Sequence, residues 1–154
     1  MNVSTKFAGV VFFAVAIFLA RHKIIDALSS KKVPSGLATL GTCAGKRMCA
    51  IVYVAPWCPA CHAIQDDLRM LGSTSANHPD FGVLVIVGGG RTPDENAATV
   101  AGYGAVATAD DENTYAQALR IRKYPSFLVV SSLKVVHEDR AALQWMDESF
   151  GFSL

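Results

Sequence analysis

The sequence carries almost no excess charge: 14 Lys and Arg stand against 13 Asp and Glu, a formal net charge of +1, with no basic stripe and no acidic tail. That removes the electrostatic footprint of a nucleic-acid binder, and nothing in the overall charge argues for an acidic partner. Internal repeats and low-complexity tracts are absent, so the chain is no solenoid or disordered array. The histidines His22, His62, His78 and His137 are scattered without ligand spacing. The run "GGGR" (88–91) lacks the Lys-Ser/Thr of a phosphate loop and reads as a strand-to-helix turn. "ADDEN" (109–113) lacks the glycine and spacing of a calcium loop and serves as a helix cap.

What is present begins with an apolar run, "FAGVVFFAVAIFLA" (Phe7–Ala20), which supplies much of the 51% hydrophobic content. It follows "MNVSTK" and precedes "RHK", the layout of a membrane-targeting segment. Its 14 residues cover only ~21 Å as a helix, short of the ~30 Å hydrocarbon layer, which favours a signal-peptide core. Against cleavage, Arg21, His22 and Lys23 follow at once with no small-x-small site, which favours a retained anchor. Residues 1–23 therefore read as a signal anchor or signal peptide and 24–40, with "SSKKVPSG", as a linker; the folded domain spans 41–154. The domain is expected to face the periplasm or another extracytoplasmic space, tethered or released after cleavage. Arg21, Lys23, Lys31 and Lys32 outnumber Lys6 plus the N-terminus, however, and by the positive-inside rule they point to a cytoplasmic-facing anchor instead.

Within the domain, "CAIVYVA" (Cys49–Ala55) and "FGVLVIV" (81–87) are continuous apolar runs, as buried strands of a sheet covered on both faces require. After the first, Ile64, Leu68 and Leu71 recur at helical spacing up to Gly72. "TPDENAATVAGY" (92–103) reads as a helix with an acidic first turn, and "AVATA" (105–109) as a short strand. A helix through "ENTYAQALRI" is capped by Asp110 or Asp111. Ser126–Val130 and Lys134–His137 form an antiparallel hairpin, and a helix over 141–150 ends the domain. The fold class is α/β, a central mixed sheet flanked by helices, preceded by the N-terminal hydrophobic segment.

The chemistry concentrates in "APWCPACH" (55–62), at the joint between strand and helix. Two cysteines two residues apart at a helix start meet across one turn, and the first lies where unpaired N–H groups and the helix dipole stabilise a thiolate. Cys58 is then the more exposed, nucleophilic thiol, and Cys61 the buried one that resolves a mixed disulfide. Trp57 shields the site, Pro59 stiffens the turn, and His62 is either a source of positive charge or a plain helix-surface residue. The rival reading is half of a zinc site completed by Cys43 and Cys49, but Cys49 and Cys58 stand at opposite ends of a strand some 20 Å long, so no metal is expected. Cys43 and Cys49 are left as a local disulfide or as two free thiols.

"WCPAC" on this joint resembles the active site of the thioredoxin superfamily, and "RIRKYPSFLVV" (120–130) resembles that family's second signature. The resemblance covers roughly residues 40–150. It implies a thioredoxin-like fold in which Pro125, preceded by Tyr124, is cis and faces the thiol pair across a substrate groove. The α–β insertion near 90–110 is more similar to membrane-tethered thiol–disulfide oxidoreductases of the TlpA/ResA type than to plain thioredoxin. The implied activity is disulfide exchange with protein thiols or disulfides, without a cofactor. A different use of the same fold is a non-enzymatic binding or assembly module that holds a partner peptide in the Pro125 groove. Val52 stands where thioredoxin-like reductases carry a buried acid, and Pro59 directly after Cys58 is more like glutaredoxins and some Dsb-type oxidants, so the direction of electron flow is open.

Overall fold

The computed structural model describes Lys31 and residues 33–152. The apolar run and the anchor or signal expectation for 1–23 lie outside these residues. Among the described residues no helix is long and apolar enough to cross a membrane.

Among the described residues five strands, β1 (Met48–Val54), β2 (Phe81–Gly88), β3 (Ala107–Asp110), β4 (Ser126–Ser131) and β5 (Lys134–Glu138), form one mixed sheet in the order β3-β2-β1-β4-β5. β1 pairs parallel with β2, and β2 with β3, while β4 runs antiparallel to both β1 and β5. Both faces are covered, which is why β1 and β2 read as unbroken apolar runs. Ala50, Val52 and Val54 point into one core with Val83, Val85 and Val87; Cys49, Ile51 and Tyr53 point into the other with Leu84 and Ile86.

The first core is closed by α1 (Pro59–Ala63), α2 (Gln65–Ala76), α3 (Pro93–Tyr103) and α5 (Asp139–Phe150) through residues such as Leu68, Tyr103 and Met146. The second is closed by α4 (Thr114–Ala118) and by the chain before β1. Here the linker expectation meets a correction: Val33 and Leu37 are buried in that core, and Ser35–Thr39 is a 3-10 helix. Val33, Leu37 and Leu40 recur at i, i+4, i+7, but Pro34 and Gly36 inside that run give it the composition of a linker, which masks the packing. The same segment follows β5, with Val135 N–H donating to the Lys31 carbonyl at 3.2 Å and Val33 N–H to the Leu133 carbonyl at 3.0 Å.

The helix after the thiol pair is two helices. Ile64 leaves helical geometry (φ −102°, ψ 6°) and separates α1 from α2. α4 is also shorter than "ENTYAQALRI" suggested, because Asn113 and Arg120 at its two ends take left-handed backbone (φ 55° and 53°).

Candidate active site

β1 delivers the thiol turn to the end of the sheet where β2 finishes and β4 starts. Tyr53 pairs with Ser126 in the ladder, so Pro125 stands one residue beyond it, against the end of β1 from which the Cys58 turn departs. Cys58 is the N-cap of α1 and Pro59 occupies the first helical position, where a missing N–H costs nothing. Cys58 and Cys61 are disulfide-bonded, with Cα atoms 5.2 Å apart. The Cys61 N–H donates to Cys58 Sγ at 3.2 Å.

Cys58 is 4% exposed and Cys61 1%. In this oxidised form both cysteines are thus buried, Cys58 the less deeply of the two. Cys61 packs into the first core, and the strand position six residues before Cys58 is the fully buried Val52. At the break between α1 and α2 the Cys61 carbonyl accepts a 2.9 Å hydrogen bond from Tyr103 Oη on α3. Burial pushes the Tyr103 hydroxyl pKa up to about 12.

Trp57, 58% exposed, is held in place without being buried: its Nε1–H donates to the Gly89 carbonyl at 2.8 Å. Gly89 has φ +73°, and that left-handed turn, which glycine adopts freely, aims the carbonyl at Trp57. Tyr124 bridges Trp57 to the buried Tyr53, with ring centroids 5.2 Å and 5.9 Å away. A Cβ on Gly88 would collide with the Tyr53 hydroxyl, so the glycine run makes room for this stack. Tyr53 Oη donates to Asp110 Oδ2 at 2.7 Å. The same carboxylate caps α4, accepting the N–H groups of Tyr115 and Ala116 at 3.1 and 2.8 Å. Burial first, and then the Asp110 hydrogen bond, push the Tyr53 pKa up. Asn96 braces the glycine turn, accepting from Gly90 N–H at 3.1 Å and donating to Asp111 Oδ1 at 2.8 Å.

Of the residues singled out in the sequence, Trp57, Cys58, Pro59, Cys61, Tyr124 and Pro125 thus gather at one end of the sheet, and the Tyr124–Pro125 peptide bond is cis. His62 is exposed on α1, and its Nε2 meets the Pro56 carbonyl at 2.7 Å, bracing the turn. Cys43 and Cys49 lie in the second core, joined as a disulfide with Cα atoms 5.3 Å apart. Sequence reasoning did not assign Tyr53, Tyr103 or Gly89 to the site. The triple glycine closing a buried strand was the available signal for Gly89, whereas the two tyrosines are indistinguishable from core aromatics.

No protein-family model and no curated protein sequence matches the chain. Solved structures do. The N-terminal domain of PilB from Neisseria gonorrhoeae superposes with a TM-score of 0.57 at 17% identity, covering 82% of this chain and 90% of that one. The exposed lipoprotein thioredoxin Etrx1 of Streptococcus pneumoniae gives 0.53 at 21% identity, over 68% and 85%. A secreted Mycobacterium tuberculosis disulfide oxidoreductase, homologous to E. coli DsbE, gives 0.52 at 17% identity, over 79% and 91%. The chain has the thioredoxin fold.

Proposed function

We propose that the protein is a thiol–disulfide oxidoreductase acting on protein partners through Cys58 and Cys61. The observation that carries this reading is the pairing of a dithiol at a helix start with an N–H aimed at its first sulfur: Cys61 N–H points at Cys58 Sγ. A hydrogen bond to a neutral disulfide sulfur is weak, and to a thiolate it is charge-assisted, so this donor favours Cys58 as the sulfur that bears charge.

In the oxidised form a partner thiolate attacks Cys58 Sγ, the Cys58–Cys61 bond breaks, and Cys61 leaves as a thiolate. A second partner thiolate then attacks the partner sulfur of the mixed disulfide and expels Cys58, so that two electrons pass to the Cys58/Cys61 pair and the partner gains a disulfide. Run backwards, Cys58 attacks a partner disulfide and Cys61 resolves the intermediate. With valine at position 52, proton transfer to and from Cys61 falls to water or to a group of the partner. Trp57, Tyr124 and Pro125 form the wall along which the partner segment lies, and Pro59 and His62 hold the turn.

An extracytoplasmic setting is supported by the apolar run at 7–20 and by a second disulfide, Cys43–Cys49, of the kind that persists in oxidising compartments. The similar proteins described as secreted or as an exposed lipoprotein point the same way. The reading is tested by trapping: Cys61→Ser should accumulate protein partners as mixed disulfides on Cys58, released by reductant, and Cys58→Ser should accumulate none. Equal trapping by both variants would contradict it.

A further inference from the structure

The net charge of +1 conceals a local imbalance. Beside the Pro125 turn is an open pocket of about 490 Å³ lined by four cations, Lys31, Arg120, Arg122 and Lys123, and two carboxylates, Glu138 and Asp139. The carboxylates are already engaged: Glu138 pairs with Lys31 and Asp139 with Lys123, each at 2.8 Å. Among the described residues Arg120 and Arg122 make no ion pair, and both are exposed. Arg120 moreover holds a left-handed backbone (φ 53°), which for a residue with a side chain costs on the order of 1 kcal/mol.

The pocket sits at the thiol end of the sheet. Ser126, on its wall, pairs with Tyr53 at the end of β1, and Glu138, at the end of β5, pairs with Leu128. Crossing from β1 to β4 and then β5 covers two strand spacings, roughly 10 Å, which is about three residues of extended chain at ~3.3 Å each. A segment that runs from the end of β1 past Pro125 toward β5 covers that span in about three residues and meets the pocket on the second-core side of β4, where Ile121 and Leu128 line it beside the two unpaired guanidiniums.

We propose that this pocket selects protein partners carrying Asp or Glu two to four residues from the reacting cysteine, with Arg120 and Arg122 receiving the carboxylates. The inference rests on the oxidoreductase reading and names the partner class of that same site. Arginine suits the task, because its planar fork takes a carboxylate through two parallel hydrogen bonds. An exposed pocket of this kind discriminates modestly and mainly through the rate of encounter, so its effect fades with salt.

The test uses the full chain in detergent and synthetic peptides whose single cysteine is carried as a mixed disulfide with a chromogenic thiol. The peptides differ only in bearing Glu or Lys at the second and fourth positions on either side. With the reduced wild-type protein, a Glu peptide should react roughly 3- to 10-fold faster than its Lys counterpart at low ionic strength, and the ratio should collapse near 0.5 M salt. Arg120→Asn/Arg122→Gln, in which asparagine tolerates the left-handed backbone, should bring the ratio within about 2-fold while leaving the rate with a small neutral disulfide unchanged. An unaltered ratio in that variant, or equal rates in wild type, would overturn the pocket proposal alone. Failure of wild type to react even with the small disulfide would overturn the oxidoreductase reading and this inference with it.

Discussion

The indole of Trp57 stands edge-on to the ring of Tyr124, with centroids 5.2 Å apart and planes at 75°. The residue before Cys58 and the residue before Pro125 thereby form one wall, although 66 positions separate Cys58 from Tyr124 in the chain. Such a pair contributes about 0.5–1.5 kcal/mol beyond its area. Truncating either ring should slow exchange with protein partners by about 3- to 10-fold. A small disulfide, which needs no wall, should react at nearly the wild-type rate. Trp57→Ala, Tyr124→Ala and the double variant, compared on both kinds of substrate, check this; equal losses on both would remove the wall from the account.

The two thiols should differ in the reduced protein. Cys58 receives the Cys61 N–H and is the less enclosed of the two, so alkylation at mildly acidic pH should modify Cys58 first. Peptide mapping of a brief iodoacetamide pulse reads the order, and preferential labelling of Cys61 would reverse the assigned roles.

Tyr103 links α3 to the buried thiol through the Cys61 carbonyl. Tyr103→Phe leaves that carbonyl without its partner and should cost about 1–2 kcal/mol in denaturant unfolding. Its pKa, raised from 10.0 to about 12, also makes a pH prediction. The folded state holds the phenolic proton more tightly than the unfolded one, so this stabilisation is complete below about pH 10 and is lost as pH rises toward 12. Tyr53, shifted the same way, adds to the loss. Unfolding midpoints measured between pH 8 and 11.5 should fall steeply above pH 10 in the wild type and less steeply in Tyr103→Phe.

The Cys43–Cys49 disulfide joins the chain before β1 to the second residue of that strand, across a sequence separation of 6. Closing so short a loop stabilises by about 2 kcal/mol in the chain-entropy estimate. Cys43→Ser/Cys49→Ser should lose about that much stability in denaturant melts, more if the buried hydroxyls lack partners, while exchange at Cys58 and Cys61 proceeds. Loss of exchange in a variant that remains folded would move redox chemistry to this second pair.

The sheet was largely legible because its strands are buried on both faces. "CAIVYVA" and "FGVLVIV" became β1 and β2 with shifts of one residue at their ends. The hairpin was visible as two β-rich runs with a short polar break between them, but the geometry of its turn was not, since Ser132 and Leu133 both take positive φ (50° and 60°) without a glycine or asparagine to announce it. The thiol pair was plain from local spacing. What lay hidden depends on residues distant in sequence: Gly89 under Trp57, Asp110 on Tyr53, Tyr103 on Cys61, and the two arginines beside Pro125, whose charge a whole-chain sum cancels. Val33 and Leu37 were missed because Pro34 and Gly36 beside them give the stretch the composition of a linker, although with Leu40 they recur at i, i+4, i+7.

Redox exchange at Cys58 and Cys61 is read out by equilibrating the full chain in glutathione redox buffers of graded potential and following each cysteine pair by acid quenching, alkylation and mass mapping. Reversible opening and closing of Cys58–Cys61 is predicted, with Cys43–Cys49 remaining closed and Cys61→Ser holding a single glutathione on Cys58. A Cys58–Cys61 pair that stays inert across the series, or titration confined to Cys43–Cys49, would rule out Cys58 and Cys61 as the exchanging dithiol.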